Sequence, residues 1–105
     1  MPAIVLFVNC ANAHEAHTIA RKLVEERHAA CCTIVGGVES YYIWEERMER
    51  GEEVMIMIKT TDERFADAER CIRELHGYDV PEIIALPVTQ GSQQYLAWLE
   101  GSVSR

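Results

Sequence analysis

The segment Ser40–Thr61, SYYIWEERMERGEEVMIMIKTT, decides the fold. It opens as an aromatic-rich strand, passes through a charged stretch over 45–51, and continues as a strand apolar at every position from Val54 to Ile58. An antiparallel strand with one wet face alternates apolar and polar residues. A strand apolar at consecutive positions wants cover on both faces, and a chain of 105 residues has little to spare for that. The segment therefore predicts a central strand, with a second copy of the chain closing the face its own helices leave open.

Upstream, Ala3–Cys10 (AIVLFVNC) is also apolar on both faces and predicts a second central strand. Asn12 has the character of a helix N-cap, with Glu15 at capping-box spacing. The helix is expected to reach about His28, with Ala16, Ile19, Ala20, Leu23 and Val24 as its apolar stripe. Cys31–Trp44 is a strand interrupted by Gly36-Gly37, a pair that suggests a bulge or bend. Glu45–Gly51 is a turn or strand extension, and Glu52–Thr60 the third strand. Thr61 or Asp62 caps a second helix ending near His76, with Phe65, Ala68, Ile72 and Leu75 turned inward and Gly77 as its stop. Pro81 opens a last strand, Glu82–Val88, in which Pro87 suits an edge. Ser92 starts a short terminal helix.

The order βαββαβ plus a short C-terminal helix is the split βαβ pattern of ferredoxin-like folds, class α+β, in one domain over residues 1–105. In that fold the strands lie 4-1-3-2, so the two doubly apolar strands are central. The helices cover one face. The other face is expected to be buried in a homo-oligomer, because a bare apolar face invites aggregation.

The formal charge of −7 argues against nucleic acid or an anionic membrane as partner. No run approaches the ~20 apolar residues of a membrane span, and the apolar start lacks the basic region of a secretory signal. Cys10, Cys31, Cys32 and Cys71 show no C-x-x-C spacing and are expected as free thiols in a cytoplasmic protein. No phosphate loop, nucleophile triad or nicotinamide fingerprint is present, so a non-enzyme without an organic cofactor is expected.

Several pieces together carry a family likeness: Ala29-Ala30-Cys31, Tyr42-x-Trp44, Glu49, Glu53 with the apolar run to Lys59-Thr60, His76-x-Tyr78-x-x-Pro81-Glu82-Ile83, and Pro87-Val88-x-x-Gly91-x-x-x-Tyr95-Leu96-x-Trp98. In these the chain resembles the CutA divalent-cation tolerance family over essentially its whole length. The resemblance implies a ferredoxin-like homotrimer, similar in plan to PII-type regulators, whose long second and third strands pair across subunit boundaries. It implies a link to tolerance of copper and other divalent cations, with a cysteine at Cys10 and histidine near His76 as candidate copper ligands. Two departures stand out. Glu46 and Arg47 replace a common glycine and lysine, and Leu75 stands where some members have a further histidine.

The topology gathers Cys10, His14, His17, Trp44, Cys71, His76 and Glu82 at one end of the sheet. Thiolate and imidazole suit copper or zinc, so Cys10, His76 and Cys71 are the candidate metal ligands. Cys10 and Cys71 are equally at home as small buried hydrophobes. His14 and His17 share a helix face, where a solvated pair is the ordinary outcome, and His28 complements a helix C-terminus. Cys31 and Cys32 point to opposite faces and cannot chelate one ion together.

An intersubunit or ligand cleft is placed at Tyr42, Trp44, Arg47, Glu49, Glu53 and Lys59, with Tyr78, Glu82, Tyr95 and Trp98 beside it. Trp98 also fits ordinary core packing. The alternative to a metal-binding protein is a PII-like sensor or adaptor binding a small anionic molecule between subunits, with Arg47 and Lys59 as its anion contacts.

Overall fold

The computed structural model describes residues 2–104. Four strands, β1 (Ala3–Cys10), β2 (Cys31–Trp44), β3 (Arg47–Thr61) and β4 (Ile84–Pro87), form one sheet in the order β2-β3-β1-β4. All neighbouring pairs are antiparallel. Helices α1 (Ala13–Glu25) and α2 (Phe65–Leu75) pack on one face, and α3 (Gln93–Ser102) follows β4. This is the expected α+β ferredoxin-like arrangement, with β1 and β3 in the centre.

Register explains why β1 and β3 are apolar throughout. Leu6 lies opposite Ile58 and Val8 opposite Ile56, and all four are fully buried beneath the helices. The alternate row pairs Val5 with Lys59, Phe7 with Met57 and Asn9 with Met55, all half-buried. β4 adds Ile84 and Leu86 to that second row, both about half exposed. The core joins Ile4, Leu6, Val8 and Cys10 to Ala16, Ile19 and Leu23 of α1, and to Ala68, Cys71 and Ile72 of α2. Burying a large aliphatic side chain contributes about 1.5–3 kcal/mol, so this one interleaved layer supplies most of the drive to fold.

The second face is not wholly left to a neighbour. α3 packs on β1 and β3, with Leu99 and Val103 buried outside the main cluster. Ala3 and Thr61, members of the second row, are buried as well. The chain thus covers one end of that face itself.

Several boundaries differ from those expected. α1 stops at Glu25 rather than near His28, because Arg27 turns left-handed at φ 62° and the N–H groups of His28 and Ala29 both reach back to the Leu23 carbonyl. Val24, expected in the buried stripe, lies outside it, 41 % exposed. β3 begins at Arg47, so the charged stretch is strand and only Glu45 and Glu46 make the turn. A single turn of 3-10 helix, Asp62–Arg64, precedes α2. β4 is shorter than expected at both ends. Gly36-Gly37 does break the β2–β3 register, between Val35 and Val38, with Gly37 at φ 70°.

Beyond that bulge β2 and β3 run on as a two-stranded arm, giving the molecule extents of 45 × 26 × 22 Å. Tyr41, Ile43, Trp44 and Met48 stand exposed on it.

Candidate functional site

The end of β1, the start of α1 and the end of α2 meet in a polar knot. Asn12 caps α1 by accepting the Glu15 N–H at 2.9 Å. The Glu15 carboxylate turns back to accept the Ala11 N–H at 3.3 Å and reaches across to the Gly77 N–H at 2.9 Å. One carboxylate therefore ties the start of α1 to the end of α2. His76 is the C-cap of α2, and its extended backbone aims the ring into this knot.

The His76 ring is held from both sides. The Tyr78 N–H lies 3.1 Å from Nδ1, and the Asn9 carbonyl 2.8 Å from Nε2. A backbone N–H can only donate, so Nδ1 accepts and Nε2 carries the proton of a neutral imidazole. Glu15 Oε1 stands 3.9 Å from Nδ1. Cys10 Sγ, a Glu15 oxygen and a His76 nitrogen all lie within 4.8 Å of one another. Burial foremost, then the Glu15 and Glu53 carboxylates, push the Cys10 thiol up to about 12.

Thiol, imidazole and carboxylate together match the donor preferences of copper and zinc. To accept such an ion Cys10 must give up its proton, and His76 must exchange one of its two hydrogen bonds. The donor types fit, at that stated cost.

Beside the knot, running along the arm, lies an open cleft of about 860 Å³. Tyr42 and Trp44 of β2 form a wall, Glu49 and Glu53 project from β3, and Tyr78, Asp79 and Glu82 enter from the loop before β4. Glu53 accepts hydrogen bonds from Ser40 at 2.8 Å and Tyr78 at 2.9 Å. Burial and that carboxylate push the Tyr78 hydroxyl up to about 12. The Asn9 side-chain amide donates its N–H to Glu82 at 3.4 Å, while its amide oxygen Oδ1 is buried without a partner among the described residues. No lysine or arginine is among the residues lining the cleft. The Tyr78 and His76 rings are 4.8 Å apart, so cleft and knot share a border.

Of the residues singled out from sequence, Cys10 and His76 come together. Cys71 does not join them. It is buried on α2, with its thiol pushed up by burial and by Glu26 and Glu74. Tyr42, Trp44, Glu49, Glu53, Tyr78 and Glu82 share one cleft, whereas Arg47, Lys59, Tyr95 and Trp98 lie elsewhere. Arg47 sits exposed at the arm's tip, and Lys59 bonds to Thr33 beside Cys31. Trp98 is not core: it is 51 % exposed and stacks on Tyr95 at 5.5 Å. Sequence reasoning missed Asn9, Ser40 and Asp79, and read Glu15 only as a cap. The signal for Glu15 was its place in the first turn of the helix that starts beside Cys10.

Two kinds of likeness bear on these residues. Residues 4–102 match the family model described as "CutA1 divalent ion tolerance protein". The chain is 41 % identical over 95 residues to the "Divalent-cation tolerance protein CutA" of Thermus thermophilus, covering 90 % of this chain and 92 % of that protein. It is 40 % identical over 102 residues to "Protein CutA, chloroplastic" of Arabidopsis thaliana, covering 97 % of this chain but only 56 % of that longer protein. In structure it is similar to the crystal structure of CutA1 from Oryza sativa, with a TM-score of 0.95, 37 % identity, and coverage of 98 % of this chain and 94 % of that one. The fold, the arm and the whole stretch holding Cys10, Glu53, His76 and Glu82 fall within the matched residues, and this chain belongs to the CutA divalent-ion tolerance family.

Proposed function

We propose that this protein is a non-enzymatic, homotrimeric cation-binding protein that contributes to divalent-cation tolerance, with copper as its preferred ion. The convergence of Cys10, Glu15 and His76 within 4.8 Å carries the proposal. Cys10 would supply a soft thiolate, His76 an imidazole nitrogen, and Glu15 a carboxylate oxygen whose second lone pairs remain available beside the N–H groups it accepts. The names of the relatives support a dealing with divalent cations. A cytoplasmic setting belongs to the same proposal and is supported by four free thiols. Among the described residues no helix is long and apolar enough to cross a membrane.

Calorimetric titration with copper tests the site. Cys10→Ala and His76→Ala should each weaken binding at least tenfold, with release of the Cys10 proton on binding to the parent protein. Unchanged affinity in both variants would remove these ligands.

The cleft favours a second reading, a PII-like sensor or adaptor that takes a small molecule. Its aromatic walls beside Glu49, Glu53, Asp79 and Glu82, with no base among the lining residues, suit a cationic ligand and disfavour the small anion expected from sequence. A thermal-shift screen separates the two readings: stabilisation by metal salts alone counts against the cleft, and stabilisation by organic amines alone counts for it.

A further inference from the structure

The four histidines of the chain divide into two kinds. His76 has both ring nitrogens engaged, and His28 lies 3.3 Å from Glu26. His14 and His17 differ. They are exposed on the first turns of α1, and among the described residues neither ring has a hydrogen bond or ion pair. Both line one shallow groove of about 370 Å³, so the two residues border the same space.

Residues three apart on a helix are neighbours, with Cβ atoms about 5–6 Å from each other. Two neutral imidazoles so placed can each offer a lone pair to one ion. The groove's cations are already compensated: Lys22 pairs with Glu26 at 2.9 Å and Arg21 with Glu25 at 3.6 Å. The positive end of the helix does not help a cation, so the imidazoles themselves must supply the affinity.

We propose that His14 and His17 form a two-imidazole chelate, open to solvent, for a late first-row divalent ion of the Ni(II), Cu(II) or Zn(II) class. Imidazole suits these ions and not magnesium or calcium. The site lies on the outer face of α1, while Cys10 and His76 are buried, with Glu15 half-buried between them, on the other side of the same helix start. Two sites of such different access would let the surface pair exchange its ion quickly while the buried group, if it binds, exchanges slowly. The proposal does not depend on the buried site.

The test uses the full chain, freed of metal, titrated with nickel chloride. In the parent protein the ring resonances of His14 and His17 should broaden together, over the same range of nickel concentration, and before that of His28. His14→Ala and His17→Ala should each lower nickel affinity at least tenfold, because a chelate loses its advantage when either arm is removed. Both are exposed helix positions where alanine is well tolerated, so folding is not at stake. Losses of twofold or less in each single variant would mean independent, one-ligand contacts and would overturn the chelate, as would broadening of one of the two rings without the other.

Discussion

At the scale of single residues, the protein holds several weak acids in their protonated form. The thiols of Cys10 and Cys32 are pushed from 9.0 to about 12, chiefly by burial, and the Tyr78 hydroxyl from 10.0 to about 12 by burial and Glu53. Their folded values lie above their unfolded ones, so the stability they confer is complete below pH 9 and is lost as pH rises toward 12. In that window the unfolded chain has released protons that the folded chain keeps; each buried thiol proton so retained costs the fold about 1.4 kcal/mol per pH unit, and Tyr78, 39 % exposed, costs less because solvent screens it. Melting temperature should therefore be level from pH 7 to 9 and fall steeply from 9 to 11. Cys10→Ala should lower the melting temperature at neutral pH and flatten the alkaline fall, by circular dichroism at each pH. A parent protein whose melting temperature stays level to pH 11 would show that these groups titrate normally. The site was legible at this scale only where one residue type announces one chemistry. Cys10 and His76 stood out as soft ligands. Glu15 did not, because its partner at Gly77 is 62 positions away and its capping role already accounted for it.

Among the elements, the arm shows what a local pattern can and cannot say. The apolar rows of β1 and β3 gave their central places directly, since a strand buried on both faces has no polar alternation to display. Residues 47–53 carry no such pattern. They are strand because β2 lies alongside and pairs residue by residue, Trp44 with Arg47 and Tyr42 with Glu49, a tertiary cause that a charged run cannot reveal. The turn at the tip has two residues, Glu45 and Glu46, at φ 51° and 66°. Two-residue hairpins with positive φ at both positions favour asparagine or aspartate followed by glycine. Glutamate has a Cβ that the left-handed region penalises by about 1 kcal/mol or more, and two adjacent carboxylates add repulsion. Glu46→Gly should relieve both, and net of the freedom glycine regains when unfolded the gain should be about 0.5–1 kcal/mol. Denaturant titration would register it as a higher midpoint at unchanged slope. Glu46→Val, with a branched side chain at the same φ, should move the midpoint down. A lower midpoint for the glycine variant would mean that the Glu46 side chain makes a stabilising contact in the assembled protein.

For the whole molecule the question is what covers the surfaces the chain leaves bare. Val5, Phe7, Met55 and Met57 are only half-buried on the second face, Ile84 and Leu86 more exposed beside them, and Tyr41, Ile43, Trp44 and Met48 project from the arm. Apolar surface of this extent on one small domain is of the kind an assembly buries, and it supports the proposed trimer. Charge would oppose the proposed trimer, because each chain carries −7. The two forces answer salt in opposite ways. Screening with a Debye length near 10 Å at 0.1 M weakens repulsion between like-charged subunits, and apolar contact does not weaken with salt. A trimer held by the sheet face and arm should therefore be at least as tight in 1 M as in 0.1 M sodium chloride, with a mass by light scattering near three times 12.0 kDa in both. Met57→Glu places a charge in the middle of the second face, opposite Phe7 and Thr33, and should shift the mass toward that of one chain while far-ultraviolet circular dichroism stays the same. Dissociation of the parent protein by salt would point to ion pairs as the glue, and a stable single chain at micromolar concentration in low salt would mean that α3 and the loops suffice to cover the face.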